Sequence, residues 1–268
     1  MGRRQQSREV QPQAESWLVL PDMHVRASGK GGLDLRTWDA VLRYASDHEW
    51  AGVLQLGDLG DWNVISDHNK GKPRLIEGQR IEDEYKAIAT KLGELRDAVG
   101  ETPRLVILEG NHDYRVEKYI HAHPEMEGIL EYPVMMKQVF LMLSAQWVPS
   151  WSRGQKFELG KLTLVHGDKT GPWHTAAMLR DYQCNIMYGH THDVQCYSVT
   201  GRGDNKTHTA QSVGTLSVYD PEWLRGKPNK WQQAFAEVCV FPDGFFNYWV
   251  TQVFKHRFVS ASGRVYQG

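Results

Sequence analysis

The sequence predicts an α/β fold, in which buried strands of a central sheet alternate with amphipathic helices. Short apolar runs at 17–20, 53–56 and 105–108 have the length and composition of buried strands. Between these runs, segments 35–48 and 79–99 carry apolar residues at helical spacing. We expect these two segments to be crossover helices, and right-handed connections would place both of them on one outer layer.

Further strands are predicted in the rest of the chain. Two apolar runs, at 162–165 and 185–188, have the same character as the first three. Beyond residue 192, β-branched and aromatic residues partly alternate, and Gly-Arg-Gly-Asp and Pro-Asp-Gly turn signals separate the segments. The strands predicted there are 193–200, 206–214, 231–241, 245–254 and 264–267.

The composition indicates one large folded domain. The chain has 268 residues, of which 41% are hydrophobic and 24% are charged, and its net charge is -1. We expect residues 16–268 to form a single domain that follows a polar, flexible tail at 1–15. The balanced charge lacks the basic excess that sequence-independent nucleic-acid binders usually carry.

The cysteine pattern and the hydropathy bear on the cellular compartment. Cys184, Cys196 and Cys239 lack paired spacing and contain no Cys-x-x-Cys. The chain shows no apolar signal segment at its N-terminus and no apolar run that approaches the length of a membrane span. These features predict a cytoplasmic protein that does not contact a membrane.

Five short segments carry oxygen or imidazole groups that can bind metal ions. Each segment follows a predicted strand. In an open α/β sheet the carboxyl ends of the strands border one crevice, so segments that are distant in sequence can meet there. The segments are Asp22-Met23-His24, Gly57-Asp58, Gly110-Asn111-His112-Asp113, Val165-His166-Gly167 and Gly189-His190-Thr191-His192.

The residue types in these segments suit a site for two metal ions. The carboxylate of Asp58 has two oxygens that can bridge two cations, whereas imidazoles and an amide oxygen complete the shells without excess negative charge. Two divalent ions about 3.5–4 Å apart can activate a water and hold the oxygens of a phosphoryl group. The motifs therefore predict two bound metal ions and a phosphate-ester substrate. Mn²⁺ is the favoured ion, and Fe, Zn, Co and Ni also suit these ligands.

The series of motifs resembles that of the calcineurin-like metallophosphoesterases, whose pattern is Asp-x-His, Gly-Asp, Gly-Asn-His-Asp/Glu, His and Gly-His-x-His. All five blocks match, between residues 22 and 192. The resemblance implies a four-layer αββα sandwich with two central mixed β-sheets and the metals at the strand ends. The strands after residue 192 would build the second sheet, and an insertion at 114–152 would form a helical cap at the substrate pocket.

The resemblance also implies a role for each matched residue. Asp58 would bridge the two metals. His112 would face the substrate, where it would stabilise the transition state or protonate the leaving oxygen, and Asp113 would orient it. An imidazole suits this task because its ordinary pKa lies near 6.5. The other ligands would be Asp22, His24 and His192 at the first metal and Asn111, His166 and His190 at the second.

Three further residues are candidate substrate contacts. Trp62 occupies the position at which the protein Ser/Thr phosphatases of this superfamily carry an arginine, which disfavours a phosphoprotein substrate. The indole would stack on a nucleobase or pack against the following loop. Arg115 would contact a substrate phosphate, and His174 would reach the cleft from the segment that follows His166.

Three functions remain open at this point. The first is a phosphodiesterase or nuclease that hydrolyses nucleic acid or a nucleotide, which the missing phosphatase arginine and the nearby aromatic residues favour. The second is a phosphomonoesterase that acts on a small metabolite. The third is a non-catalytic binding or scaffold protein of the same fold, which the complete ligand set disfavours. The sequence suggests no obligate protein partner.

Overall fold

The computed structural model describes residues 13–28, 31–202, 206–221 and 224–268. Most of the tail predicted at 1–15 lies outside the described residues, and Glu15 is already the first residue of a strand. Within the described ranges, no helix has the length and apolar character that crossing a bilayer requires.

Strands and helices alternate through the first part of the chain, and strands dominate its last third. The strands are β1 (Glu15–Leu20), β2 (Gly52–Gln55), β3 (Arg104–Leu108), β4 (Ala145–Val148), β5 (Phe157–Leu159), β6 (Leu162–Val165), β7 (Ile186–Tyr188), β8 (Val194–Thr200), β9 (Thr207–Val213), β10 (Ala234–Val240), β11 (Phe246–Gln252), β12 (Arg257–Val259) and β13 (Val265–Gln267). The α-helices are α1 (Leu35–Ser46), α2 (Ile81–Val99), α3 (Arg115–Ala122), α4 (Tyr132–Met135), α5 (Lys137–Met142), α6 (Ser150–Arg153) and α7 (His174–Tyr182).

Most of the strands belong to two mixed sheets. The larger sheet has the order β11-β10-β1-β2-β3-β4, with β1 to β4 parallel and both β10 and β11 antiparallel to their neighbours. The smaller sheet has the order β5-β6-β7-β9-β8, in which β6, β7 and β9 are parallel. β12 and β13 form a separate antiparallel pair. The prediction of two mixed sheets is therefore confirmed.

Three hydrophobic clusters separate four layers. Successive side chains of a strand point to opposite faces of its sheet. In β1, Leu18 and Leu20 therefore pack towards α1 and α2, whereas Trp17 and Val19 pack towards the smaller sheet. On the other face of the smaller sheet, Ile186 packs with α7. The order of layers is α1 and α2, larger sheet, smaller sheet and α7, which is the predicted αββα sandwich.

The two long helices lie close to their predicted bounds. The carboxylate of Asp34 caps α1 by accepting hydrogen bonds from two backbone N–H groups of its first turn. α2 ends before Gly100, whose φ of 79° is readily adopted by a residue without Cβ. The helix predicted at 35–48 ends two residues earlier, at Ser46, and the helix predicted at 79–99 begins two residues later, at Ile81.

Two features of the sheets differ from the prediction. The strands after residue 192 divide between the sheets, because β8 and β9 lie in the smaller one while β10 and β11 extend the larger one. β10 pairs with β1, from the other end of the chain, and local alternation carries no information about such a partner. The insertion at 114–152 is not wholly helical either, because it contains β4, the edge strand of the larger sheet.

Candidate metal centre

The loops that follow five strands meet in one place. β1, β2 and β3 of the larger sheet and β6 and β7 of the smaller sheet each end just before one of the five motifs. Backbone hydrogen bonds join neighbouring loops. The N–H of His24 donates to the carbonyl of Asp58 at 2.9 Å, and the N–H of Gly189 donates to the carbonyl of His166 at 2.9 Å. The strand ends thus bring the predicted ligands together across both sheets.

The first donor set consists of Asp22, His24, Asp58 and His192, which are all buried and have ligand atoms within 4.8 Å of one another. Nε2 of His24 lies 2.9 Å from Nε2 of His192 and 3.8 Å from Oδ2 of Asp58. Nε2 of His192 lies 3.2 Å from Oδ1 of Asp22. Two imidazoles and two carboxylates therefore surround a common point.

The second donor set consists of Asp58, Asn111, His166 and His190. Oδ1 of Asn111 lies 2.9 Å from Nε2 of His166 and 2.7 Å from Nδ1 of His190. Nδ1 of His166 faces the carbonyl oxygen of Leu56 at 2.9 Å. Because a carbonyl only accepts hydrogen bonds, Nδ1 of His166 carries a proton, and Nε2 is the nitrogen that faces the donor set.

Asp58 lies between the two donor sets. Its Oδ2 faces His24, whereas its Oδ1 lies 3.4 Å from Nε2 of His166 and accepts the backbone N–H of His112 at 2.7 Å. A Cβ on Gly110 would lie 2.1 Å from Oδ1 of Asp58, so the carboxylate can take this position only beside a glycine. The carboxylate of Asp58 therefore offers one oxygen to each donor set.

Four of the expected ligands have a left-handed backbone. The φ angle is 48° at His24, 51° at Asp58, 66° at His190 and 59° at His192. Residues with a Cβ seldom adopt such angles, which cost about 1–3 kcal/mol each and persist where the surrounding structure imposes them. Such strain is typical of functional sites and supports a binding role for these loops.

The electrostatics of the donor sets keep the shared carboxylate charged and one imidazole neutral. Burial opposes the ionisation of Asp58, but the imidazoles of His166 and His112 outweigh burial and hold the pKa of Asp58 below its ordinary range. Burial and the neighbouring His166 lower the pKa of His190 to about 4. His190 is therefore neutral near pH 7, the state in which an imidazole binds a cation.

His112 lies beside the first donor set, and its ring centroid is 4.5 Å from that of His24. Nδ1 of His112 lies 2.9 Å from Oδ1 of Asp61, and Nε2 lies 3.0 Å from Nη2 of Arg115. Burial opposes the charge of Asp61, but hydrogen bonds from His112 and His24 hold the pKa of Asp61 well below its ordinary range. An ionised carboxylate therefore orients the ring of His112.

Asp113, which was expected to orient His112, has a different position. The donors to its carboxylate are the backbone N–H groups of Leu59, Gly60 and Gly110 and Nε1 of Trp62. Burial and the charge of Asp58 raise the pKa of Asp113 to about 7. Asp113 therefore ties two ligand-bearing loops together. This geometry corrects the prediction, because His112 donates its hydrogen bond to Asp61 and not to Asp113.

Two of the predicted substrate contacts are buried away from solvent. The indole of Trp62 is fully buried and packs on Tyr85, with a distance of 4.6 Å between ring centroids. His174 is buried as well. Its Nδ1 faces the hydroxyl of Tyr188 at 2.6 Å, and its Nε2 faces Oδ2 of Asp193 at 3.0 Å. Both predictions are corrected, because neither side chain is accessible to a substrate.

Residues that were not predicted as part of the site also border it. Nε of Arg26 donates to Oδ2 of Asp61 at 2.5 Å, and the rings of Trp151 and Trp231 contact candidate ligand histidines. Asp61 had a usable signal, because it is the second aspartate of a Gly-Asp-x-x-Asp stretch. Trp151 lies in the segment 114–152, which was predicted to form a cap at the substrate pocket, whereas Trp231 lies outside every predicted site segment.

The side chains present fit a pair of metal ions. Oxygen and nitrogen atoms of the two donor sets face one another at 2.7 to 3.8 Å, and they include carboxylate, amide and imidazole groups. Buried carboxylates and imidazoles at such distances are characteristic of metal ligands, and the outer nitrogen of His166 has the carbonyl partner that a ligand histidine normally has. These donors suit several transition metals and do not select one of them.

The αββα layers and the convergence of the five motifs at the strand ends agree with the fold that the resemblance to the calcineurin-like metallophosphoesterases implies. Comparison with protein-family models finds no match, and neither does comparison with curated protein sequences. Among solved structures, the chain is similar to the crystal structure of Chaetomium thermophilum Vps29, with 14% sequence identity, a TM-score of 0.44 and coverage of 95% of this chain and 96% of that chain.

Proposed function

We propose that this protein is a dinuclear metal-dependent phosphoesterase. The observation that carries the proposal is the position of Asp58, whose two oxygens face different donor sets. A carboxylate shared in this way would suit two adjacent divalent ions. Such ions, when bound, supply an activated water and stabilise the oxygens of a phosphoryl group during in-line displacement.

The proposed ligands divide as the two donor sets do. Most of the ligand atoms belong to neutral imidazole or amide groups, so two divalent cations would leave the centre with a net positive charge that suits a phosphate. We propose Mn²⁺ as the ion and the cytoplasm as the compartment. The first ion would be held by Asp22, His24, Asp58 and His192, and the second by Asp58, Asn111, His166 and His190.

The side chains beside the donor sets would act on the substrate directly. His112 would donate a hydrogen bond or a proton from Nε2 to the leaving oxygen, with Asp61 holding the ring at Nδ1. Arg115 contacts Nε2 of His112 in the structure. With substrate bound, it would instead donate hydrogen bonds to a non-bridging phosphate oxygen. This arrangement puts a proton donor and a fixed positive charge on the same side of the centre.

We propose a phosphodiester of nucleic acid or of a nucleotide as the substrate. Trp62 replaces the phosphate-binding arginine of the related protein phosphatases and is buried, and partly exposed tryptophans border the centre. The second candidate is a phosphomonoesterase. It is favoured by the pair Arg26 and Arg115, because both guanidinium groups contact Asp61 and two such groups suit the dianion of a monoester.

The experiment that tests the proposal measures turnover by metal-stripped protein reloaded with Mn²⁺. Bis-p-nitrophenyl phosphate and p-nitrophenyl phosphate are compared as substrates, and the His112→Ala variant is the control. Preference for the diester that disappears in the variant supports the phosphodiesterase. Preference for the monoester supports the phosphatase, and turnover of neither ester by protein that holds two metal ions contradicts the enzymatic proposal for these ester classes.

A further inference from the structure

Two tryptophans lie against the candidate metal ligands, one beside each donor set. Trp151, in α6, contacts two histidines of the second donor set. The distance between ring centroids is 5.8 Å to His166 and 5.6 Å to His190. Trp231 precedes β10, and its ring centroid lies 4.3 Å from that of His192 in the first donor set. The two indoles therefore flank the centre from opposite donor sets.

The exposure of these two tryptophans distinguishes them from tryptophans of the core. Trp17, Trp38 and Trp62 are at most 1% exposed, as expected for large side chains of the core. By contrast, Trp151 is 36% exposed, and Trp231 is also partly exposed. Each indole thus contacts a candidate ligand histidine and also keeps part of its surface exposed to solvent.

The segment around Trp151 is fixed to two loops of the centre. The backbone N–H of His166 donates to Oγ of Ser150 at 3.3 Å. On the other side of the tryptophan, the backbone N–H of Ser152 donates to Glu109 at 2.7 Å. Glu109 directly precedes the Gly110 motif. Trp151 is therefore held between two anchored neighbours, which lowers the entropy that ligand binding would otherwise cost.

The segment around Trp231 is fixed in a similar way. The backbone N–H of Trp231 itself donates to Oδ1 of Asn229 at 2.9 Å. The next residue, Gln232, donates its backbone N–H to the carbonyl oxygen of His192 at 2.7 Å. Trp231 is therefore attached to the same loop that supplies a ligand to the first donor set.

We propose that Trp151 and Trp231 are stacking subsites for the nucleobases on the two sides of the scissile phosphate. The inference rests on the proposed phosphoesterase function and narrows its substrate to a diester with a nucleoside on each side. The faces of nucleobases stack on indoles regardless of base identity. The net charge of -1 gives little general attraction to a phosphate backbone, so stacking at the centre would supply much of the affinity.

The test compares two ligands that differ only in their bases, thymidylyl-thymidine and the same dinucleoside phosphate with both bases removed. Binding is measured by calorimetry on the Mn²⁺-loaded full chain in a His112→Ala background, which suppresses hydrolysis. If each base contributes the usual stacking energy, the dinucleotide binds at least about 25-fold more tightly than the abasic ligand. Adding Trp151→Ala or Trp231→Ala reduces that ratio by about fivefold or more, and Trp→Phe at either position retains most of it.

Trp249 provides the matched control, because it is 45% exposed and lies in β11, at the edge of the larger sheet. Trp249→Ala should leave the ratio unchanged. Equal binding of the two ligands by the His112→Ala protein with both tryptophans intact overturns the proposal, even where the wild type hydrolyses diesters. An equal loss for both ligands in the Trp→Ala variants also overturns it, because the indoles would then only support the histidines. Absence of turnover in the wild type would count against the phosphoesterase function separately.

Discussion

Arg115 and His112 contact each other at the nitrogen through which His112 would act on a substrate. Nη2 of Arg115 lies 3.0 Å from Nε2 of His112, while Nδ1 of the same ring faces Asp61. A guanidinium only donates hydrogen bonds and an ionised carboxylate only accepts them, so the imidazole accepts at Nε2 and donates at Nδ1. A bound phosphate would compete for the N–H groups of Arg115 and would free Nε2, which donates to the leaving oxygen only when the ring carries a second proton.

We therefore expect Arg115→Ala to weaken substrate binding. Loss of a charge-assisted hydrogen bond costs about 1.5–3 kcal/mol, so KM for a phosphate ester should rise by about 10- to 150-fold. Steady-state kinetics of the Mn²⁺-loaded protein measure this change, and Arg180→Ala, at an exposed position on α7, is the matched control. An unchanged KM with a lower kcat would show that Arg115 positions His112 and does not bind the substrate.

Asp61 and Asp113 are expected to differ in what they support. Asp61→Asn removes the charge that orients His112 and that lies 3.4 Å from Nδ1 of the candidate ligand His24. Outer partners of metal-binding histidines typically contribute 10- to 100-fold, so kcat should fall by about that factor. Steady-state kinetics of the loaded variant measure kcat, and elemental analysis measures its metal content. Normal kcat in folded Asp61→Asn would contradict the role assigned to this carboxylate.

For Asp113→Asn we expect a loss of stability. All four groups that contact this carboxylate are N–H donors, so an amide NH₂ in its place faces donors and leaves some of them unpaired. The free energy of unfolding should fall by about 1–3 kcal/mol. Urea denaturation measures it, with the exposed Asp39→Asn as control. Equal stability of the two variants would contradict the role of Asp113 in joining the loops.

The ligand-bearing loops could be predicted from the sequence because each one follows a short apolar strand. The strands at 53–56 and 162–165 were located to within one residue, and both lead directly to a motif. The residues that orient or flank the ligands could not be predicted in this way. Asp61 and Asp113 both follow a ligand closely in sequence, and which of them contacts His112 depends on how the two loops fold against each other.

The large aromatic residues show the same limit. Trp62 was a candidate for stacking because it occupies the place of the phosphatase arginine, but its burial depends on Tyr85 in α2 and Tyr132 in α4. Trp151 and Trp231 lie outside the motifs, and their places follow from the packing of α6 and from the pairing of β10 with β1. Such positions are set by tertiary contacts, which local sequence patterns do not predict.

Asp58→Asn is expected to reduce metal binding at both donor sets. An amide has only one oxygen to offer, whereas the carboxylate of Asp58 presents Oδ1 to one set and Oδ2 to the other. Metal content per chain after reloading, measured by elemental analysis, should fall at both positions. His192→Ala is the comparison, because its side chain belongs to the first set alone and should affect one ion more than the other. Loss of a single ion in Asp58→Asn would contradict the shared role.

Glu84 should make stability depend on pH. This buried residue of α2 accepts the backbone N–H of Trp62, and burial together with the charge of Asp61 raises its pKa from 4.5 to about 7. A carboxyl group with a raised pKa holds its proton in the folded protein where the unfolded chain has already lost it. Between about pH 4.5 and 7 the folded state therefore binds more protons, and stability falls as the pH rises through this window.

The variant that tests this dependence is Glu84→Gln, which keeps an acceptor for the N–H of Trp62 and cannot ionise. The difference in free energy of unfolding between the variant and the wild type isolates Glu84, because other titrating groups are common to both. Urea denaturation of metal-stripped protein measures this difference. From pH 5 to pH 8, the free energy of unfolding of the variant should rise relative to that of the wild type by at most about 3 kcal/mol. A difference that stays constant across this range would mean that Glu84 ionises as freely in the folded protein as in the unfolded chain.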